Sequence, residues 1–247
     1  MKYITKYKSP NYNSRNKSKI KLIIIHYTAL KNSLDAISHL CRQENNVSSH
    51  YLISQDGIIY NIVDDKFRAW HAGQSFWQDI TDINSISIGI ELDYNPNGKN
   101  NYFSMNMMSS LKKLIINIKK KYNISNKNIL GHSEISPYRK KDPGKHFPWH
   151  SFAPEIVFKF NKIKKNEIKI IEEWFNNYNI KSKKRIIIFI LSLIGYDTRK
   201  VYISTKQYNK LINAYKSRYL NNEIYEKNDS IYFSLISHLY NFLLTKN

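Results

Sequence analysis

A single cysteine, Cys41, leaves the chain without an intramolecular disulfide or a thiolate zinc cluster, so any metal bound here has to be held by imidazole and carboxylate. Acidic residues are scarce too: 19 Asp and Glu stand against 39 Lys and Arg, a formal net charge of +20. That excess favours a polyanionic partner, whether nucleic acid, anionic lipid or an acidic wall polymer. Arginine is the next shortage, 7 against 32 lysines, and arginine is the better residue for bidentate phosphate and base contacts. No nucleic-acid partner is therefore expected, and much of the charge reads as lysine spread over solvated faces. Long apolar runs are missing as well. The longest, "IIIFILSLI" at 186–194, is too short to span a bilayer and reads as a buried helix. The opening "MKYITKYKSPNYNSRNKSKI" carries charge without the apolar stretch of a secretory signal. As written, the expectation is a soluble protein that begins in the cytoplasm, with no transmembrane segment. Core-forming side chains are plentiful, 42% hydrophobic and 14% aromatic, so the chain folds. Its 247 residues suffice for one large domain, or a medium domain with a small appendage.

Periodicity sets the expected architecture. "KLIIIHY" at 21–27 is a β-branched run ending in histidine, the pattern of a central strand. "NSLDAISHLCRQ" reads as a helix with Ser33 as N-cap and Leu34, Ile37 and Cys41 on one face. "SHYLIS" and "IIYNIV" flank "QDG", which predicts a hairpin turning at Asp56-Gly57. "SISIGIEL" at 85–92 is a further strand, and "NIL" before Gly131-His132 a short last one. Between them Leu111, Leu114, Ile115, Ile118 and Tyr122 make a stripe at helical spacing. This order predicts an α/β fold with a mixed central β-sheet flanked by helices, residues 1–157. Beyond a lysine-rich segment at 158–170, residues 170–247 read as three or four short helices, a small all-α bundle that binds or supports.

A catalytic zinc takes three protein ligands, best delivered by separate strand ends. His26 closes the first strand, His132 follows the last, and Asp142 lies ten residues on, held extended by Pro143. The spacing is suggestive only, because each histidine taken singly reads more readily as structural than as a ligand. Other residues compete for attention. His146 and His150 are four apart, but Pro148 between them opposes a helix and leaves them as loop or groove residues. His71 in "AWHAG" and His50 in "SSHYLI" either line a cleft or pack in the core, while His39 and His238 sit in helical segments as structural residues. On the residues alone, Glu91 reads rather as a strand-end ion pair, and Lys140 as a solvated charge in "RKK".

Five stretches in order, "IIIHYTAL", "VSSHYLIS", "GIIYNIVDDKFRAWHAGQSFW", "SIGIELDYN" and "GHSEISPYRKKDPGKHFPW", resemble the type-2 N-acetylmuramoyl-L-alanine amidases. These are zinc enzymes that share a fold with phage T7 lysozyme and the peptidoglycan recognition proteins. The resemblance is strong over 7 to about 153. It leans to the AmiD branch through "YKSPNYNSR" and a helical C-terminal module like a peptidoglycan-binding domain. It implies His26, His132 and Asp142 as ligands of one Zn2+ per chain. Glu91 becomes the residue that handles the proton, and Lys140 the cation beside the developing oxyanion. It also implies a substrate groove walled by Trp70, His71 and Ala72, with His50, Gly73 and Trp77 nearby, that takes peptidoglycan or muropeptides. A monomer is expected. Members of that branch usually carry a lipoprotein signal ending in cysteine, whereas Cys41 falls inside a predicted helix, so lipid anchoring is not expected. If a signal has been removed the compartment is the periplasm or envelope; otherwise it is the cytoplasm.

Overall fold

The computed structural model describes residues 3–150, 152, 163–220 and 228–244, so part of the lysine-rich segment, 158–162, lies outside the described residues. Eight strands alternate with helices through the first part of the chain: β1 (Tyr3–Ile4), β2 (Tyr12–Ser14), β3 (Leu22–Tyr27), α1 (Ser33–Cys41), β4 (Tyr51–Ile53), β5 (Ile59–Asn61), β6 (Phe67–Ala69), α2 (Ile83–Ile86), β7 (Ser87–Leu92), α3 (Met105–Tyr122), β8 (Ile129–Gly131) and α4 (His132–Ile135). Four helices follow: α5 (Lys165–Asn177), α6 (Lys183–Ile194), α7 (Thr205–Tyr219) and α8 (Asn228–Leu244). The main sheet has the order β1-β5-β4-β7-β3-β8, and β2 pairs with β6 in a small second sheet. β3 runs parallel to both β7 and β8, while the β4–β5 hairpin is antiparallel, so the sheet is mixed as expected.

β3 is central because Leu22 to His26 are buried, the pattern of a strand covered on both faces. Side chains alternate across a strand, so Ile23 and Ile25 point to one face and Leu22, Ile24 and His26 to the other. The first face packs with Ile88 and Ile90 of β7 under Leu111, Leu114, Ile115 and Ile118 of α3, the stripe expected from the sequence. The second face is covered by the C-terminal helices. Leu22, Ile24 and Leu130 share one apolar cluster with Phe175, Ile190, Leu191 and Tyr215.

Local details differ from expectation in places. The cap of α1 is Asn32, whose side chain accepts from the Asp35 amide at 2.9 Å, rather than Ser33. The buried stripe of α1 is Ala36, Ile37 and Leu40, which meets Leu52, Tyr60 and Ile62; Leu34, in the first turn, is 62% exposed. Ser85 and Ile86, expected as the start of the strand over 85–92, instead belong to α2, which Asp82 caps. The Asp56-Gly57 turn is present, with Gly57 at φ +82, the left-handed region that glycine adopts without strain.

Candidate active site

Sheet parity brings the site together. His26 and Glu91 stand opposite each other in register on β3 and β7, so both project from the same face. Ser87 and Gly89 precede Glu91 on that face, and His132 emerges where β8 ends, one residue past Gly131. Asp142 returns to the same place because the Ser133 amide donates to its carbonyl at 2.8 Å. Gly131 leaves room for that return: a Cβ there would lie 2.6 Å from Pro143 Cδ.

His26, His132 and Asp142 are all buried, and their facing atoms converge. Nδ1 of His26 lies 2.9 Å from Nδ1 of His132, and Asp142 Oδ2 lies 3.1 and 3.0 Å from the two nitrogens. The outer nitrogens settle which ring atoms carry protons. His132 Nε2 faces the Ala72 carbonyl at 3.0 Å, which only accepts, so Nε2 is protonated and Nδ1 is bare. The Ser87 hydroxyl donates to the Ile83 carbonyl at 2.6 Å, so it accepts from His71 Nε2 at 3.1 Å. His71 Nδ1 is thereby bare and accepts from His26 Nε2 at 3.0 Å, which leaves His26 Nδ1 bare as well. Two imidazole lone pairs and a carboxylate thus point at one spot. That arrangement repels itself without a cation and suits a tetrahedral zinc, whose ligand atoms stand about 3.3 Å apart. The donor set therefore fits the metal.

Charge states agree. Burial, with the neighbouring His132, pushes His26 down to about 4, so it is neutral at neutral pH. Burial and the surrounding histidines likewise push His71 well below its ordinary value. Glu91 is lifted by burial, and secondarily by Asp142, to about 8, with Lys140 opposing. Its Oε2 is enclosed without a hydrogen-bond partner. A carboxyl poised near neutrality beside a metal centre is equipped to take up and return a proton.

The centre opens into one cleft, and a second groove adjoins that cleft. A cleft of about 420 Å³ runs past Leu30, His39, Leu40, Val47 and Trp70, with His71, Glu91 and Lys140 at its base. Trp70 is held there by its indole N–H, which donates to Asn13 Oδ1 at 3.1 Å. A second groove of about 980 Å³ shares Tyr27, Arg139, Lys140 and Lys141 with the first and continues past Tyr94, Lys145, His146, Lys210 and Lys216. None of its described lining residues is acidic.

The expected groove residues divide. Trp70 and His71 line the cleft, but His50 and Ala72 are fully buried and do not. His50 accepts from the Gly89 amide of β7 at 3.0 Å and sits beside Arg15, a packing role within the core. Ala72 contributes its carbonyl, which accepts from His132 and, at 2.6 Å, from Arg139. Trp77 is buried edge-on against Tyr196, not in the groove wall. His39, expected as structural, is exposed at the cleft rim, whereas His238 is buried as expected. Four contributors were invisible in the sequence. Arg139 secures Ala72; Asn84 Oδ1 accepts from the amides of His71 and Ala72 at 3.1 and 2.8 Å; Ser87 ends the relay from His26. Gly89 is the fourth, since a Cβ there would meet the His71 ring at 2.5 Å. Arg139, Ser87 and Gly89 lie within stretches that drew attention, though not for these roles, and Asn84 lies outside them.

Three buried side chains of ligand type that open onto a cleft, with a buried carboxyl and a lysine alongside, form a candidate catalytic metal site at the edge of a mixed α/β sheet. Residues 16–145, slightly more than half of the chain, match the N-acetylmuramoyl-L-alanine amidase family, and the chain belongs to that family. It is 35% identical over 154 residues to the amidase AmiD of Escherichia coli K12, covering 56% of this chain and 54% of that one, about half its length. It is also 35% identical over 168 residues to the 1,6-anhydro-N-acetylmuramyl-L-alanine amidase AmpD of Haemophilus influenzae, covering 60% and 89% of the two chains. In fold it resembles E. coli AmiD, solved with anhydro-N-acetylmuramic acid-L-Ala-D-gamma-Glu-L-Lys, at TM-score 0.74 and 24% identity over 96% of this chain and 93% of that one. AmpDh3 of Pseudomonas aeruginosa is similar at TM-score 0.71 and 23% identity, with 96% of each chain covered.

Proposed function

We propose that the protein is a zinc amidase that hydrolyses the bond between the lactyl carbonyl of N-acetylmuramic acid and the amine of L-alanine, in peptidoglycan or its soluble fragments. The observation that carries this reading is the convergence of two deprotonated imidazole nitrogens and Asp142 beside the in-register Glu91. His26, His132 and Asp142 would hold the ion, which when bound lowers the pKa of water to about 7 and polarises a carbonyl. Glu91 takes the proton of the attacking water and delivers it to the departing L-alanine amine. Lys140, at the junction of the grooves, faces the negative charge that grows on the carbonyl oxygen and so stabilises the transition state more than the ground state.

A cleft at the centre and a groove adjoining it match a substrate with two unlike limbs. The sugar lies along the cleft that presents Trp70, and the carboxylate-bearing stem peptide along the lysine-lined groove. One chain supplies all three candidate ligands, so no second subunit is needed to complete the centre. Residues 1–157 carry the chemistry and 170–247 support it. Among the described residues no helix is long and apolar enough to cross a membrane. The test is mass spectrometry of products from intact sacculi and from soluble anhydro-muropeptides, with and without chelator. A new L-alanine amino terminus, lost with chelator and in Asp142→Ala, is expected. Equal activity of wild type and Asp142→Ala overturns the reading. Cleavage confined to soluble fragments assigns the enzyme to a compartment where such fragments are recycled, and cleavage of sacculi to the envelope.

A further inference from the structure

The loop that carries two of the three ligands is gripped from behind by the C-terminal helices. Arg218, on the last turns of α7, is only 3% exposed; its Nη2 donates to the Ile129 carbonyl in β8 at 3.1 Å. Its guanidinium lies 3.5 Å from the centre of the Trp149 ring. Tyr196, just past α6, is wholly enclosed and donates its hydroxyl to Glu134 Oε1 at 3.2 Å. The other oxygen of Glu134 accepts from the Gly131 amide at 2.7 Å, the residue immediately before His132. Farther along, Lys210 Nζ donates to the Tyr138 carbonyl at 2.7 Å, and the Tyr138 hydroxyl donates to the Asp197 carbonyl at 2.5 Å. These contacts are polar, directional and buried or half-buried, and they fall on residues 129–149, the segment that holds His132 and Asp142. An apolar core alone would cover the sheet face without them.

We infer that Tyr196 and Arg218 are positioning residues for the metal centre, acting through Glu134 and β8 to hold His132 and Asp142 in register with His26. The inference rests on the zinc reading above. A buried acceptor left without its donor is costly, so removal of the Tyr196 hydroxyl leaves Glu134 free to rotate and loosens its hold on the Gly131 amide. The metal site then has to pay for its own ordering when the ion binds.

The test uses the full chain, with zinc affinity read by competition with a chromogenic chelator and the melting temperature of the metal-free protein read in parallel. Tyr196→Phe and Glu134→Ala are expected to weaken zinc binding about tenfold, the lower end of the range for groups behind metal ligands, while Glu134→Gln, which keeps an acceptor for Gly131, stays within about twofold of wild type. Should Tyr196→Phe not fold, the contrast between Glu134→Ala and Glu134→Gln carries the same test. Variants that melt earlier without zinc yet bind it as tightly as wild type overturn the positioning role and reduce the contacts to packing. Asp142→Ala serves as the separate control. If it too binds zinc like wild type, the metal assignment itself fails; if it loses zinc while Tyr196→Phe does not, only the brace fails.

Discussion

Replacing Glu91 by glutamine keeps the shape of the side chain and removes its proton equilibrium. Two consequences follow from the enclosure of that carboxyl. As the group that moves the proton, its loss lowers kcat by about 10²- to 10⁴-fold, the contribution usual for general acid–base catalysis, with zinc content unchanged. The second effect is on stability in the chelated protein. A carboxyl lifted from 4.5 to about 8 prefers its proton more in the folded chain than in the unfolded one. Stability it contributes is complete below pH 4.5 and is lost as pH rises through about 8. Wild type should therefore weaken relative to Glu91→Gln between those limits. At about 1.4 kcal/mol per pH unit the ceiling is about 5 kcal/mol. Water reaching Glu91 from the cleft and the charge of Lys140 reduce that to about 1–2 kcal/mol. Urea unfolding of both metal-free proteins at pH 5 and pH 9 measures it. A difference that stays flat or reverses sign across that range refutes the enclosure argument, and full activity in the variant refutes the proton role.

Chelation should abolish hydrolysis and added Zn2+ restore it; zinc at a thousand times its dissociation constant adds about 4 kcal/mol to stability, seen as a higher melting temperature. Gly89→Ala forces the His71 ring off the sheet and breaks its bond to His26, and is expected to weaken zinc binding at least about tenfold in a chelator competition. Unchanged affinity would remove His71 from the support of the metal. Lys145→Glu and Lys216→Glu, in the lysine-lined groove, should raise KM for stem peptides with free carboxylates without changing kcat, an effect that fades as salt is added. Equal loss on amidated peptides would count against the assignment of that groove.

Periodicity made the strands that carry this site legible, whereas the roles of His26, His132, Asp142 and Glu91 came from the resemblance to the amidases, because each side chain alone reads as structural. The run ending at His26, the strand ending near Glu91 and the short strand before His132 are each visible as apolar pattern, and parity then puts all three on one face. What could not be read depends on partners far away in the chain. His50 looked like a groove residue, and only the Gly89 amide, 39 residues on, explains its burial. Ala72 acts through its carbonyl, which no side-chain pattern signals. Arg218 sits in a helix rich in polar residues and reads as solvated, because Trp149 and Ile129, which enclose it, are remote in sequence. The strands β1, β2 and β6 are two or three residues long, too short for alternation to show.

The apolar cluster shared by the sheet and the C-terminal helices bears on how the chain could be shortened. A fragment cut off after the metal loop would expose Leu22, Ile24, Trp77 and Leu130 to water as one oily patch, a surface that sticks to its own kind. Trimming this enzyme to its chemistry would thus require repainting that face with polar residues, and a soluble, unrepainted fragment would show that the cover is dispensable.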